Sequence, residues 1–174
     1  MNELSESDES NAATPKGVLE AIGAASVSVG SVEELRQYAG SSEYVHVNGY
    51  YVNTPGIGGG LFVADKADKA SVDNGGTIIV SDNGTRWLRQ IDGVKAIDFG
   101  AQLNNNHDDT EAIRQAAALG KPVDLSGGIA KVSNMPHGAF VDGVISSPSG
   151  VYRYGFGQDL GKRGLRVATW NIWS

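Results

Sequence analysis

Short β-prone runs separated by glycine-containing turn clusters restrict how this chain can fold more than any other feature. Asp73-Asn-Gly-Gly76 and Asp82-Asn-Gly84 bracket the run Thr77-Ile-Ile-Val80, and 24 of the 174 residues are glycine. Asn-Gly pairs supply the positive φ angles that tight turns between strands require. Runs this short are typical of strands, so the sequence predicts a mainly β protein with two short helices.

The same reasoning predicts strands at residues 44–47, 50–52, 61–64 and 86–91, with a flexible turn at 56–60. In the last strand, Trp87 shares a face with Arg89 and Ile91, a mixed pattern that predicts burial on both sides of the sheet. A short helix at 32–38 precedes these strands, because Ser31 and Glu34 have the spacing of a capping box.

Composition divides the chain into four sections. Residues 1–30 begin with a polar tail that cannot bury enough apolar surface to order itself, and they continue as a small-residue, apolar arm. We predict a disordered tail and docking arm at 1–30, a small β-module at 31–93 and a neck at 94–134. A glycine-rich linker and the start of a C-terminal domain are predicted at 135–174.

Within the neck we predict a strand at 94–99, a polar loop at 104–107 and a helix that opens at Asp108 and Asp109 and ends near residue 119. Small residues let that helix approach either a sheet or its own copies in an oligomer. Its apolar stripe consists of Ala112, Ile113, Ala116 and Ala117. Two short strands are predicted within 122–132.

Beyond residue 135 the chain is predicted to be irregular until a last strand at 166–173. That strand carries two tryptophans and ends without a turn. Because an unpaired edge of this kind favours aggregation, we expect the natural chain to continue past Ser174.

Charge and composition exclude several classes of function. The net charge is −6 with only 14 basic residues, which disfavours nucleic-acid binding because phosphates need clustered Lys and Arg. The absence of Cys excludes disulfides, thiolate metal sites and a Cys nucleophile. The acidic first ten residues are unlike a signal peptide, and no run approaches the ~20 apolar residues of a membrane helix, so no membrane association is predicted.

The candidate chemical residues all have structural explanations. Asp108 and Asp109 could form a carboxylate pair, but their position before a helix favours capping. The glycines at 56–60 lack the Lys-Ser/Thr of a phosphate loop and indicate a turn. The histidines show no metal-ligand spacing. His46 falls in a predicted strand and could pack in the core, and His107 and His137 are predicted in loops. We therefore predict no catalytic residue, no cofactor and no metal.

Two blocks of sequence resemble a known family. Asn48-Gly-Tyr50, Gly58-Gly-Gly-Leu-Phe62, Asp73-Asn-Gly-Gly-Thr-Ile-Ile79 and Arg86-Trp-Leu-Arg89 resemble the small β-module near the front of many bacteriophage tailspikes. Ile97-Asp-Phe-Gly-Ala101, followed by Asp108-Asp-Thr-Glu-Ala-Ile113, is similar to the opening of the right-handed parallel β-helix in those spikes and in pectate-lyase-like proteins. The resemblance implies a β-module, then a capping helix and a rudimentary β-helix start, after which the chain turns into a linker.

The resemblance also implies a function. The chain would be a virion structural protein, the N-terminal adaptor that anchors a homotrimeric tailspike or tail fibre to the tail for host-receptor attachment, and not itself an enzyme. Expected partners are phage tail, baseplate or other fibre proteins, and host surface polysaccharide through a downstream domain; assembly would occur in the host cytoplasm. Partner or oligomer contacts are predicted at Val18, Leu19, Ile22, Val27, Val29, Ile113, Ala116 and Ala117.

Two alternatives remain open at this point. The chain could belong to a tailspike hydrolase or depolymerase whose catalytic domain lies mostly beyond this segment, or it could be a carbohydrate-binding module in which Trp87 stacks on sugars. The strand at 166–173 also resembles the first strand of the endonuclease/exonuclease/phosphatase superfamily, in which an Asn at the position of Asn171 helps hold a metal.

Overall fold

A five-stranded sheet and one helix form the first half of the computed structural model, which describes residues 27–155. The elements are β1 (Val27–Val29), α1 (Val32–Gln37), β2 (Tyr44–Val47), β3 (Gly60–Asp65), β4 (Ile78–Val80) and β5 (Arg86–Arg89), and the strand order is β1-β2-β3-β5-β4. The pair β1 and β2 is parallel and the other pairs are antiparallel. We call this unit the β-module.

Helix α1 begins as the capping motif predicts. The Ser31 hydroxyl accepts a hydrogen bond from the Glu34 amide at 3.2 Å, while the Glu34 carboxylate accepts one from the Gly30 amide at 2.7 Å. These bonds satisfy backbone donors that have no partner within the first turn. The predicted helix is confirmed, and it ends at Gln37 with Tyr38 as its C-cap.

The β-module has its own hydrophobic core beneath one face of the sheet. Its buried residues are Val32, Leu35, Val45, Val47, Phe62, Ile79 and Trp87. The predicted burial of both faces is wrong: β5 alternates between half-buried and buried residues, and Ile91 lies beyond the strand with 40% of its surface exposed. The predicted strand at 50–52 is also wrong, because this segment turns instead, with the Thr54 amide donating to the Tyr51 carbonyl.

The second unit, residues 94–155, winds as successive coils, and we call it the rung stack. It contains β6 (Val94–Lys95), a 3-10 helix (Ala96–Phe99), β7 (Asn104–Asp108), α2 (Thr110–Ala117), β8 (Val123–Asp124), β9 (Ile129–Lys131), β10 (Phe140–Val141), β11 (Gly143–Ser147) and β12 (Gly150–Tyr154). One sheet has the order β10-β8-β6 and the other has β12-β11-β9-β7. Every pairing is parallel except that of β11 with β12.

Each turn of this unit supplies one strand to each sheet, which is the geometry of a β-helix. Three such rungs are present, formed by β6 with β7, β8 with β9, and β10 with β11. Aliphatic side chains and two phenylalanines fill the interior, and the 3-10 helix and α2 close its first end. The buried set includes Phe99, Ile113, Ala116, Val123, Leu125, Ala130, Phe140 and Ile145. The predicted fold class, mainly β with two helices and a β-helix start, is confirmed.

Several local predictions for the rung stack need correction. The expected polar loop at 104–107 is strand β7, and the expected strand at 94–99 is divided between β6 and the 3-10 helix. The expected irregular linker after 135 instead contains β10, β11 and β12, so the coils continue to a third rung. The predictions for residues 1–26 and 156–174, including the strand at 166–173 and Asn171, lie outside the described residues.

Candidate functional site: the junction between the two units

A buried arginine joins the β-module to the rung stack. The Arg89 side chain donates from Nε to the Gly76 carbonyl at 2.9 Å and from Nη1 to the Gly59 carbonyl at 2.6 Å. From Nη2 it donates across the junction to the Asp98 carbonyl at 3.3 Å. Its guanidinium carbon also lies 4.5 Å from the centre of the Phe62 ring. One fixed fork of donors therefore holds three backbone segments together.

The charge on Arg89 is partnered inside the junction. Arg89 Nη1 lies 3.5 Å from Asp98 Oδ1, and the two side chains are 1% and 9% exposed. Burial raises the pKa of the Asp98 carboxyl and lowers the pKa of the Arg89 guanidinium, and the attraction between the two groups opposes both shifts. A buried pair of this kind is costly to break, because removing one member leaves the other charge without a partner.

Two tyrosines and a glycine complete the contact. The Tyr50 hydroxyl donates to the Gly75 carbonyl at 2.9 Å, and the Tyr51 hydroxyl donates to the Gly100 carbonyl of the rung stack at 3.1 Å. Gly76 faces the Phe99 ring so closely that an added Cβ would overlap the ring. The two units therefore meet through packed surfaces rather than through a free linker.

The β4 edge of the β-module is closed by side chains of the preceding turn. The Asp73 carboxylate accepts hydrogen bonds from the Val80 and Gly75 amides at 3.0 and 2.8 Å, and the Asn74 side chain accepts one from the Ile78 amide at 2.9 Å. Although burial opposes it, hydrogen bonds from Arg36 and these amides hold the pKa of Asp73 below its usual range. The edge amides are thus unavailable to another strand.

The adjacent aspartates at the start of α2 have different tasks. Asp109 occupies the N-cap position but its side chain does not cap the helix. Its buried carboxylate instead accepts from the Gln102 and Leu103 amides at 2.8 and 3.1 Å and lies 2.8 Å from His107 Nδ1. The capping prediction is therefore wrong for Asp109, whose carboxylate ties the preceding loop to the helix.

Asp108 binds the helix start and the second rung. Its carboxylate accepts hydrogen bonds from Thr110 and from the Ser133 hydroxyl. The hydrogen bonds from Ser133 and Thr110 lower the pKa of Asp108 to about 2. It adjoins an open pocket of about 360 Å³, lined by Asp108, Lys131, Val132, Ser133, Ser146, Ser147 and Pro148. A carboxylate that stays ionised at neutral pH is poorly suited to act as a general acid.

The predicted contact residues have mixed positions. Ile113 and Ala116 are 0% exposed and pack inside their own rung stack, so the structure gives them a core role. Their contact with another copy stays a prediction. Ala117 packs partly against the same core. Val27 is 39% exposed in β1, and Val29 packs against the β-module core, so both belong to the sheet rather than to a free arm. Val18, Leu19 and Ile22 lie outside the described residues.

The remaining candidates show little that indicates chemistry. Trp87 is 1% exposed and its indole N–H donates to the Ser81 hydroxyl at 3.3 Å, so it offers no face to a sugar. His46 lies in strand β2, as predicted, but its side chain is exposed and does not pack in the core. Residues 56–59 form the turn before β3, and Gly60 is the first residue of that strand. Within residues 27–155 no group of three His, Cys, Asp or Glu side chains could hold a metal ion, and no helix there is long and apolar enough to cross a membrane.

Arg89 and Asp98 were not among the predicted site residues. The signal was present in the sequence, because Arg89 lies two residues from Trp87 in a strand and therefore shares its buried face. A charged side chain on a buried face requires a partner. The identity of that partner depended on a segment nine residues later that forms a 3-10 helix instead of the predicted strand.

Comparison with known proteins shows which family and which relatives the β-module resembles. Residues 28–92, which cover most of the β-module, match the family described as phage tail protein small four-stranded β-sheet domain. A capsule K2-specific depolymerase of Klebsiella phage vB_KpnP_KpV74 is 40% identical over 78 residues, which are 43% of this chain and 13% of that protein.

Solved structures extend the likeness into the rung stack. Tailspike protein 2 of Escherichia coli O157:H7 bacteriophage CAB120 is 28% identical with a TM-score of 0.54, over 71% of this chain and 17% of that chain. The tailspike of Acinetobacter baumannii phage AM24 is 30% identical with a TM-score of 0.52, over 60% of this chain and 18% of that chain.

These relatives define the class of protein. The chain is similar to the N-terminal region of bacteriophage tailspikes, as the sequence resemblance predicts. In particular, it carries a phage tail β-sheet domain followed by the opening rungs of a β-helix. It spans less than a fifth of the length of the relatives described above.

Proposed function

We propose that residues 27–155 are the rigid mount of a tailspike, which joins the part held by the phage tail to the β-helix and performs no reaction itself. The observation that carries this proposal is the buried Arg89 fork, which binds carbonyls of the β-module and of the rung stack at once. A flexible link would let the spike swivel, whereas a packed and hydrogen-bonded junction transmits orientation and force.

The proposed role explains why polar side chains form hydrogen bonds with backbone amides of their own chain. Asp73 and Asn74 block the β4 edge, and Asp109 fixes the loop before β7. Each of these carboxylate or amide groups binds backbone donors of its own chain, which holds the protein in one shape. None presents a free acid and base facing a common cleft, as hydrolysis of a glycosidic bond requires.

We propose that the mount acts as a homotrimer in the virion, after assembly in the host cytoplasm. Residues 1–26 would contact a tail, baseplate or other fibre protein, and three copies of that contact would act together. Host surface polysaccharide would bind to a downstream part of the spike. Support for the tail contact comes from the family match of the β-module.

A second candidate function, part of a tailspike depolymerase, is favoured by one observation. The 40% identical relative is a capsule K2-specific depolymerase. In that case the shared 78 residues would be the non-catalytic portion, because the polar groups described above are engaged in structural hydrogen bonds. Release of sugars from capsule by residues 27–155 alone would overturn the assignment of a purely mechanical role.

Virion incorporation tests the proposal. The deletion ends at residue 26, because β1 starts at Val27 and pairs with β2. Phage assembled with the truncated spike should carry little of it, while the truncated protein keeps the thermal transition of the full chain. The matched control is a full-length spike with Asp82→Ala on the exposed surface. Truncated spikes present at control levels would contradict attachment through this segment.

A further inference from the structure

The last rung of the stack is covered on one sheet and open on the other. In the larger sheet, antiparallel β12 pairs with β11 along the whole length of both strands. In the smaller sheet, β10 is the terminal strand, and within residues 27–155 no strand pairs with its outer edge. The third rung therefore has one unpaired row of backbone groups, a feature that folded proteins normally cover.

The unpaired backbone groups of β10 belong to Phe140. The Leu125 amide donates to the Val141 carbonyl at 2.9 Å, so this carbonyl faces the β8 side. The Val123 amide likewise donates to the Ala139 carbonyl at 2.9 Å. Because backbone groups alternate sides along a strand, the N–H and C=O of Phe140 point to the outer edge. Phe140 is nevertheless only 3% exposed, and backbone groups with so little access to water need a protein partner.

The end of β12 runs toward this unpaired row. Tyr154, the last residue of β12, pairs with Gly143 at the start of β11. One residue further, the Asp142 amide donates to the Gly155 carbonyl at 3.2 Å. Asp142 has a φ of 48° and forms the corner between β10 and β11. The antiparallel pairing therefore continues around the corner, at a glycine, the residue whose backbone bends with the least restriction.

The sequence that follows β12 fits a strand on β10. Continuing the same register places Phe156 opposite Val141 and Gly157 opposite Phe140. Alternate pairs of an antiparallel ladder exchange both backbone hydrogen bonds, and the pair at the corner is already bonded. The next hydrogen-bonded pair is then Gly157 with Phe140, whose N–H and C=O both point to that edge.

We propose that residues 156–158 continue β12 as an antiparallel strand along the outer edge of β10. This strand supplies the partners that the edge lacks within residues 27–155. Residues 159–164 follow with two glycines and three charged side chains, a composition typical of a loop, so the strand is short. The chain thus covers its own third rung without another protein.

A covered third rung ends the coil. A β-helix grows when a new rung adds parallel strands to the last edges of its sheets, and β12 with its continuation occupies both edges. The coil is then complete at three rungs, and any longer β-helix carried by the mount begins as a new stack after this cap. The cap does not depend on the proposed attachment to the tail, so the two proposals can fail separately.

Exchange of the Phe140 amide proton in the full chain tests the cap. Gly157→Pro removes the amide that donates to Phe140 and prevents pairing there, so the Phe140 amide should exchange at least about tenfold faster than in the unmodified chain. Gly161→Pro is the matched control, because it makes the same change in the following loop, and it should leave the rate unchanged. An unprotected Phe140 amide in the unmodified chain would overturn the proposal. Protection that survives Gly157→Pro would also overturn it, because another strand would then cover β10.

A disulfide tests the register without disrupting the strand. The chain has no Cys, so Val141→Cys with Phe156→Cys introduces one pair of thiols at opposite positions, about 4.5–5.5 Å apart between Cβ atoms. Mild oxidation should close an intramolecular disulfide, seen as faster migration in a non-reducing gel. Val141→Cys with Gln158→Cys is the control, because a diagonal position about 7–8 Å away is too far for an unstrained disulfide. A control that forms its disulfide as fast, or no disulfide in either variant, would contradict the proposed pairing.

Discussion

The β-module and the rung stack solve the same problem of unpaired strand edges in opposite ways. In the β-module, the turn containing Asp73 and Asn74 closes the β4 edge from within the chain. In the rung stack, each coil covers the edge of the one before it, and antiparallel β12 covers β11. The first unit is therefore finished by its own side chains, whereas the second is built to repeat.

That difference explains why the junction needs buried charge. A repeating stack can add rungs without fixing its angle to a neighbouring domain, so orientation must come from specific contacts at the first rung. Arg89 provides them by reaching from β5 to the 3-10 helix. We therefore expect the mount to be rigid at the junction, where the β-module meets the rung stack.

The largest effect is expected when this contact is removed. Arg89→Ala takes away three carbonyl contacts and leaves Asp98 buried without its partner, so the free energy of unfolding should fall by about 3–5 kcal/mol. Denaturant unfolding should also separate into two transitions, one for each unit. Arg86→Ala is the control, because Arg86 bonds only the Ser71 and Gly84 carbonyls within the β-module; a single transition for both variants would refute coupling through Arg89.

A smaller effect is expected at the closed edge. Asp73→Ala should lower the free energy of unfolding by about 2–3 kcal/mol, because Arg36 and the Val80 amide lose a charged acceptor. The freed edge should also promote association between β-modules at high concentration, which sedimentation would detect. Asp82→Ala, on the exposed surface nearby, should change neither property. If the two variants behaved alike, the Asp73 side chain would not be what closes the edge.

Packing at the junction gives a finer test. Gly76→Ala forces a methyl group against the Phe99 ring and should cost about 1–3 kcal/mol of unfolding free energy. Gly93→Ala adds the same methyl group close to the junction in sequence but into open space. Its effect on thermal unfolding should be slight. Equal destabilisation by both substitutions would show that close contact between the units is unimportant.

The smallest effect concerns acid stability in the rung stack. The pKa of Asp108 is about 2 in the folded chain and near 3.9 in an unfolded one. Its contribution to stability is therefore present above pH ~4 and is lost as the pH falls toward about 2. Asp108→Asn should be less stable than the unmodified chain at pH 7, and the difference should vanish near pH 2 in thermal unfolding. A difference independent of pH would mean that the charge is irrelevant.

Local chemistry made some elements predictable and others not. Ser31 and Glu34 identify the start of α1 because both partners of the capping motif lie within four residues. Strand β7 was not predicted because Asn104, Asn105 and Asn106 have low β propensity. Its pairing comes from β9, with a register shift between Asn104 and Asp108. Asn105 adopts a φ of 62° within that irregular stretch.

The junction site was likewise only partly predictable from the sequence. The family blocks identify both units, but the contact between Arg89 and Asp98 depends on how those units are oriented, which no local pattern encodes. Strand β10 was missed because it has only two residues, and β11 was missed because glycine and two serines leave it few residues of high β propensity. Both strands pair with the preceding rung. Only the glycine-rich composition of that region was visible in the sequence.

Native-state hydrogen exchange in the full chain is the most direct test of a rigid two-unit mount. Amides of β3 in the β-module and of β9 and β11 in the rung stack should open with the same free energy and respond together to denaturant. Arg89→Ala should separate them. Amides of β9 and β11 that open in the unmodified chain at least ~2 kcal/mol more easily than those of β3 would contradict the account.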